Sequence, residues 1–509
     1  MAGYGDPFVE ESETVSGSGL AAERSRRQRQ VDAIRAGGGE PYPYRFDRTH
    51  SADDVRTQWL DLAPGTETDD EVTVAGRILL ARDSGKLVFV TIADRSVELQ
   101  LFVSKAVIGD DAFSVVKGLD RGDWVGVHGT VMTTRKGELS IKADRIELLA
   151  KSIRPLPDKW HGLSDPDTRF RQRYADLAVN ADARRAFAVR HAVIASLRDT
   201  FRRRGYVEVE TPVLHEQASG AHARPFSTHH HTLDLELHLR IAVELHLKRL
   251  IVGGMDRVFE LGRVFRNEGL SPRHNPEFTI LESYEAFADV TDVIALTEEL
   301  VVNACRDALG TTEVTVRDEP VDLTPPFPRA RMVDLASEAA GDEVHPSRGV
   351  DALRRIAEDN GLRWEPGWSA GQLVEAVFEG LVEKTIVAPV FVTGHPVEIS
   401  PLARIDRSDA HLTERFELFV DGREIANGYS ELNDPVEQRA RFEEEQRAKE
   451  LGDAERGTVD EDYLRALEYG MPPTGGLGVG VDRLVMLLAG VDSIRDVILF
   501  PTLRPEVQS

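Results

Sequence analysis

Between about Val72 and Ile146 the chain runs through short segments in which apolar and polar residues alternate: VTVAGRILLARD, KLVFVTIAD, VELQLFV, DWVGVHGTVMTT and GELSIKADRIEL. Successive side chains on a strand point to opposite faces, so each segment can bury one face and wet the other. Gly and Asp turn signals separate them. Four to six short strands in about 75 residues predict a small β-barrel, and an OB-fold is the best-sized candidate.

The texture then changes. A Pro- and Asp-rich stretch from Arg154 to Asp167 reads as a linker. Phe187, Ile194, Leu197 and Phe201 recur at near-helical spacing, predicting a helix over Arg184–Arg203 with Gly205 as its stop. The run YVEVETPVL predicts a strand halted at Pro212. From there to the C-terminus long antiparallel-looking strands alternate with helices, a mixed α+β pattern rather than a βαβ repeat.

At 509 residues the chain has room for about three domains, or two if one is large. Hydrophobic residues make up 41% and charged residues 29%, the balance of a folded protein with a sizeable core. Sixty-two basic residues against 87 acidic ones leave a net charge of −25, which argues against a protein that coats nucleic acid non-specifically. A local basic face stays possible: ERSRRQRQVDAIR, Glu23 to Arg35, stops at Gly37-Gly38-Gly39 and reads either as a solvated charged helix or as one that meets phosphate backbone. Residues 1–20 read as a disordered, acidic tail with no signal peptide. The single cysteine, Cys305, excludes an internal disulfide and a cysteine-built zinc site and suits a reducing cytoplasm. No apolar run approaches the ~18 residues of a membrane span, so the expectation is a soluble cytoplasmic protein.

Three blocks carry chemistry. In RVFELGRVFRNEGLSPRHNPEFTILESYEAFAD, Arg257 to Asp289, two strand-like runs flank a polar loop. Phe278, Ile280, Glu282 and Tyr284 share one face by the two-residue period, and Arg266 and Glu268 share another. In TGGLGVGVDR, Gly476, Gly478 and Gly480 alternate, so one strand face has no side chains and a flat ligand can lie against backbone; Arg483 follows in the first turn of an apolar helix. This is neither a phosphate loop nor a dinucleotide fingerprint. In FELFVDGREIANGYSE, Asp421-Gly422 predicts a two-residue hairpin turn. Pairing Val420 with Arg423 puts Glu417 and Glu424 on one face, where two carboxylates could hold Mg²⁺. Strict alternation turns Asn427, Tyr429 and Glu431 away, so a bulge near Ala426 or Gly428 is required if all five serve one site. His229-His230-His231 lacks a second ligand pair at zinc spacing and reads as non-metal.

Taken in order, RGYVEVETPVL, FRNEG…RHNPEF and GLGVGVDR resemble motifs 1, 2 and 3 of the class II aminoacyl-tRNA synthetases. ARPFSTHH, LHLKRLIVGG, GREIANGYSELND and IRDVILFP resemble the bacterial lysyl-tRNA synthetases in particular, and the match spans about residues 45 to 505. The resemblance implies an α+β fold: a class II catalytic domain built on a six- or seven-stranded antiparallel sheet, with an N-terminal OB-fold β-barrel. It implies a tail and basic helix over 1–44, an anticodon-binding domain over 45–155, a catalytic domain over 156–509, and a homodimer joined around motif 1. It also implies ATP as substrate, up to three Mg²⁺ per subunit, and transfer of lysine through lysyl-adenylate to the 3′ end of tRNA(Lys).

Carried over position by position, Arg266 would hold the α-phosphate and the lysine carboxylate. Glu268 would meet the adenine amino group, with His274 and Asn275 beside the triphosphate, and Phe278 and Arg483 would sandwich the adenine. Glu417 and Glu424 would ligate Mg²⁺. Gly220, Glu244 and Glu282 match positions near the lysine α-amino group, Asn427 one near its carboxylate, and Gly478 and Tyr429 others in the pocket. Tyr284 and Glu431 match those that receive the ε-ammonium. In the barrel, Arg77, Phe89, Gln100 and Glu138 match the anticodon-reading positions, Phe89 offering a stacking face. Ser219 beside Gly220-Ala221, Val243, His246 and Tyr429 depart from the usual pattern; they are expected near the lysine pocket, where affinity or resistance to lysine-mimicking inhibitors would differ. The alternatives are a specialised or inhibitor-resistant second copy and a non-catalytic tRNA-binding paralogue.

Overall fold

The computed structural model describes residues 17–95, 97–157, 163–217, 220–221, 223–450 and 459–506. Most of the expected acidic tail and part of the expected linker therefore lie outside the described residues. The chain divides into two compact units, Met1–Arg184 and Arg185–Ser509.

In the first unit the alternating segments become β1 (Glu67–Asp83), β2 (Leu87–Asp94), β3 (Val97–Ser104), β4 (Trp124–Thr133) and β5 (Leu139–Ala150), closed into a barrel in the order β1-β2-β3-β5-β4. β3 and β5 pair in parallel, as an OB-type closure requires of a five-stranded barrel, and the other pairs are antiparallel. Alternation decides what goes inside: Val88, Val90 and Ile92 of β2 are buried with Val72, Val74, Leu99, Leu101, Val125, Val127 and Ile141, while the odd-numbered residues of β2 face outward. A bulge between Ile78 and Leu80 lets the long β1 bend from one neighbour to the other.

The basic run lies in α1 (Gly17–Ala36), so residues 17–20 belong to a helix rather than to the expected tail. Two of its arginines are spent within the unit. Arg26 pairs with Asp120 at 2.6 Å, and buried Arg27 donates to the carbonyls of Arg121 and Ser152.

The second unit is built on an eight-stranded sheet. Its strands are β6 (Val207–Glu208), β7 (Arg257–Phe265), β8 (Glu277–Ala286), β9 (Arg329–Arg331), β10 (Val390–Thr393), β11 (Arg415–Val420), β12 (Arg423–Ser430) and β13 (Thr474–Gly480), in the spatial order β9-β10-β11-β12-β13-β8-β7-β6. The six strands from β10 to β7 are antiparallel, and a short parallel strand is added at each edge, which takes the total past the expected six or seven. The expected 206–214 strand shrinks to β6, two residues paired with Val258 and Phe259.

One face of this sheet carries the core. Leu281, Leu477, Val479, Phe416, Leu418 and Ala426 pack against α2 (Ala181–Arg203), α3 (Val290–Leu309) and α4 (Val481–Ala489). Phe201 of α2 stacks on Phe259 at 4.6 Å between centroids. Each such buried side chain contributes about 1.5–3 kcal/mol by removal from water. α3 begins on an Asp289/Asp292 capping box and stops at Gly310 in the left-handed region. Because side chains alternate, the neighbouring positions in these strands face the other way, and there the site is built. Among the described residues no helix is long and apolar enough to cross a membrane.

Candidate active site

Register assembles the site in rows. Tyr284, Gly476 and Tyr429 lie side by side across β8, β13 and β12; in the next row Glu282, Gly478, Asn427 and Glu417 do the same, reaching β11. Opposed residues in an antiparallel pair share a face, so these two rows look into one cavity of about 490 Å³.

Two local features place the hairpin's share. Asp421 and Gly422 take φ of 54° and 58°, as a two-residue primed turn requires. The register then shifts between Leu418 and Phe419: Phe419 pairs with Glu424 and Leu418 with Ala426, so Ile425 is the extra residue. That bulge, one residue before the expected Ala426, turns Asn427 and Tyr429 onto the same side as Glu417 and Glu424.

Of the residues singled out from sequence, Gly220, Glu244, Arg266, Glu268, His274, Asn275, Phe278, Glu282, Tyr284, Glu417, Glu424, Asn427, Tyr429, Gly478 and Arg483 all line this cavity. Glu431 lies behind it, 2% exposed. Ser219 lies outside the described residues.

The nucleotide-sized end is cationic. β7 ends at Phe265, so Arg266 and Glu268 reach the cavity from the following loop and not from a strand face as expected; the Arg266 N–H donates to the Pro276 carbonyl and fixes the loop. The Arg266 guanidinium lies 5.2 Å from the centre of the Phe278 ring, and burial lowers its pKa against the pull of Glu268, Glu424 and Glu282. Arg483 donates to the Glu424 backbone carbonyl at 3.0 Å and to its carboxylate at 2.9 Å. Arg483 is placed by its neighbour Asp482, which accepts the Thr279 N–H at 2.7 Å and pairs with Arg190. His274 accepts or donates to the Ser271 hydroxyl at 2.9 Å, and burial with Arg483 nearby lowers its pKa. The Asn275 side chain is committed to the protein itself, between the Glu277 carbonyl and the Thr502 N–H.

The other end is acidic and buried. α5 (Glu244–Val252) opens with Glu244, which accepts the Tyr429 hydroxyl at 2.7 Å. Glu282 accepts the Tyr284 hydroxyl at 3.1 Å and the Val243 N–H; burial, reinforced by Glu244, pushes its pKa up to about 7 despite those donors. Burial raises Glu431 well above the usual carboxylate range against the pull of Lys248, with Glu244 and Glu282 adding to the rise.

Three residues here were not picked out from sequence. Lys248 is fully buried, bonded to Glu244 at 2.6 Å and in ion contact with Glu431. Its signal was present: it sits four residues after Glu244, one helical turn along the same face. Arg415, two residues before Glu417 and so on its face, donates to Glu417 at 2.6 Å and to the Asn427 side-chain carbonyl at 3.1 Å. Asp482 is the third. Conversely, His246 was expected near the pocket and is not among the cavity-lining residues. At about 100° per residue it points away from Glu244 and Lys248 and instead packs, tilted by 35°, against His215 at 4.6 Å between centroids.

Gly476 and Gly478 play different parts from a bare shelf. A β-carbon on Gly476 would collide with the Glu431 carboxylate and the Tyr284 ring, so protein fills that space, whereas one on Gly478 meets nothing closer than 3.8 Å.

In the barrel, Arg77, Phe89 and Gln100 fall on the outer face. Phe89 packs edge-on against Phe102, Arg77 lies 4.9 Å over Trp124, and Gln100 donates to Ser140. Glu138, just before β5, is exposed and 3.5 Å from Arg56. The three histidines 229–231 sit on or beside an exposed strand, Ser227–His230, with His229 3.3 Å from Asp234.

Residues 165–504 match the family described as tRNA synthetases class II (D, K and N), and residues 72–149 match the OB-fold nucleic acid binding domain. A lysine–tRNA ligase of Nostoc punctiforme is 50% identical over 492 residues, covering 95% of this chain and 88% of the relative. Those of Enterococcus faecalis and Bacillus subtilis are each 48% identical over 480 residues, covering 94% of this chain and 96% of the relative.

Proposed function

The chain belongs to the lysine–tRNA ligases among the class II tRNA synthetases, and from that premise we infer how this cavity joins lysine to ATP and passes it to tRNA(Lys). A lysine carboxylate oxygen attacks the ATP α-phosphorus, the bond to the β-phosphate breaks, and pyrophosphate leaves with its electrons. The 3′-terminal hydroxyl of tRNA then attacks the lysyl carbonyl and AMP departs. Such chemistry needs positioning and charge stabilisation more than a protein nucleophile.

Arg266, held at the mouth of the acidic end, bridges the α-phosphate and the lysine carboxylate. Asn427, its carbonyl taken by Arg415, keeps its amide N–H₂ to donate to that carboxylate. Phe278 and Arg483 enclose the adenine, with Glu268 at its amino group and His274 toward the triphosphate. Glu282, Glu244 and the Gly220 turn take the α-ammonium, Gly478 leaves room for the backbone of the amino acid, and Glu431 with Tyr284 and Tyr429 takes the ε-ammonium.

Glu417 and Glu424 fit Mg²⁺. Each lines the cavity and pairs with an arginine through one oxygen, Glu417 with Arg415 and Glu424 with Arg483, which leaves the other oxygen of each carboxylate for a hard cation. Two carboxylates with phosphate oxygens and waters suit this ion, which when bound would screen the triphosphate. Residues 45–155, with Arg77, Phe89, Gln100 and Glu138, read the anticodon, and residues 156–509 carry catalysis. The chain works as a cytoplasmic homodimer joined around 206–214, where Val207, Val213 and Leu214 stand exposed at 49%, 42% and 47%.

The observation that carries this reading is one cavity lined by Arg266 and Arg483 toward one end and by the buried Glu244 and Glu282 toward the other, with buried Glu431 behind that second end. ATP–pyrophosphate exchange across a panel of amino acids tests it: lysine alone should sustain exchange, and equal exchange with a neutral amino acid overturns it.

A further inference from the structure

The acidic end already holds an ammonium. Lys248 is 0% exposed, donates to Glu244 at 2.6 Å, touches Glu431 through Oε2, and lies 5.9, 5.6 and 6.0 Å from the ring centres of Tyr284, Tyr429 and Tyr463. Burial works against that charge, but Glu244 and Glu431 outweigh it and hold the group protonated. Glu431 is as deeply buried, yet among the described residues no well-directed hydrogen bond reaches either of its oxygens, and Oε1 lies over the α-carbon of Gly476 in the cavity wall. A buried carboxylate so placed carries an unmet demand for a donor.

Charge and shape then limit what can meet it. Lys248 already sits against both Glu244 and Glu431, so what stays unmet is a single acceptor position. With Oε2 taken, Oε1 is the oxygen left. An alkylammonium is a compact point charge that needs one such acceptor; a guanidinium is a planar fork that binds carboxylates best through two parallel hydrogen bonds.

We propose that Lys248 is a specificity-determining residue: by reserving one oxygen of Glu431 it makes the pocket accept an alkylammonium and turn away a guanidinium. It acts through Glu431 and is therefore a positioning residue, and the proposal rests on the reading that this pocket receives the lysine side chain.

Lys248→Met keeps the stem and removes the charge. In the full-length protein, amino-acid-dependent pyrophosphate exchange should show the lysine KM raised about tenfold with kcat little changed, and the kcat/KM ratio of lysine to arginine lowered about tenfold or more. In Lys248→Ala, added ethylammonium should restore the ratio, which a loss of packing alone would not allow. A folded Lys248→Met protein with an unchanged ratio overturns the proposal. Glu431→Gln separates the two readings: if it leaves the lysine KM unaltered the pocket reading fails, whereas if it raises KM while Lys248→Met leaves the ratio intact only the role of Lys248 fails. A crystal structure of the unaltered protein with L-lysine needs no variant to fold. It should place one ammonium on each oxygen of Glu431, and Lys248 swung away from Glu431 would sink the idea.

Discussion

Glu431 lays its carboxylate over the α-carbon of Gly476, in the space a side chain would take. Neighbouring strands put Tyr284 and Tyr429 on either side of that glycine, so the carboxylate is boxed by two phenol rings and a bare backbone. Gly476→Ala should therefore damage the pocket and not merely the strand. A methyl group there forces Glu431 or Tyr284 to move, at about 1–3 kcal/mol of overpacking. The expected outcome is a lower melting temperature and a raised lysine KM with the ATP KM unchanged, read by thermal denaturation and exchange kinetics. Gly478→Ala, which meets no atom closer than 3.8 Å, should keep the melting temperature and affect lysine alone.

Removing the charge of Glu431 tests the same pocket from its other side. Glu431→Gln leaves the substrate ammonium without its anion and Lys248 with only Glu244. Losing one partner of a buried, hydrogen-bonded charge pair costs about 2–4 kcal/mol, or about 30- to 900-fold in kcat/KM for lysine. ATP binding, measured by calorimetry on the same variant, should hold, because Arg266, Phe278 and Arg483 do not touch Glu431.

Glu282 sets a pH dependence. Burial and Glu244 push its pKa up to about 7, so the folded protein holds a proton there that the unfolded chain has released above about 4.5. Stability from this group is therefore lost as pH rises from about 4.5 through 7, since the native state binds the extra proton. Lysine binding should run the other way: if Glu282 receives the α-ammonium as proposed, the lysine KM should fall as pH rises from about 6 to 8. Glu282→Gln should flatten that limb. Val243→Pro removes the backbone N–H that favours the ionised form and should move the limb to higher pH. A lysine KM independent of pH in the native protein would contradict the assignment.

How far the sequence reached differs from residue to residue. Periodicity located the barrel strands, the 278–284 face and the Asp421-Gly422 turn, because those depend on local pattern alone. The need for a bulge beside Ala426 was legible from the conflict between alternation and a shared site, and Ile425 supplies it. What local pattern misses is who partners whom. Lys248 and Arg415 are ordinary charged residues in a helix and a strand; only tertiary packing shows that one meets Glu431 from 183 positions away and the other orients Asn427. The short edge strands escaped for a similar reason, since two- and three-residue strands exist only through their neighbour. His246, expected near the pocket from the resemblance, turns to His215 instead.

The barrel offers a prediction independent of the cavity. Phe89 stands on the outer face of β2, half-buried and in a T-shaped contact with Phe102, its partner across the strand pair. A splayed base stacks on such a ring for about 1–3 kcal/mol, and stacking needs the ring but not the polypeptide around it. Phe89→Ala removes the ring without opening the core, since the residues that fill the barrel are Val88 and Val90 on the other side of the strand. Adenylate formation, read by pyrophosphate exchange, should match the unaltered enzyme, while charging of tRNA(Lys) should fall about 5- to 150-fold through a raised tRNA KM. Phe102→Ala is the matched control for loss of the edge contact, and Leu101→Ala, which opens the core, should lower the melting temperature as Phe89→Ala does not. If Phe89→Ala depresses exchange and charging equally, the ring serves the fold and the division of labour between the barrel and the cavity is wrong.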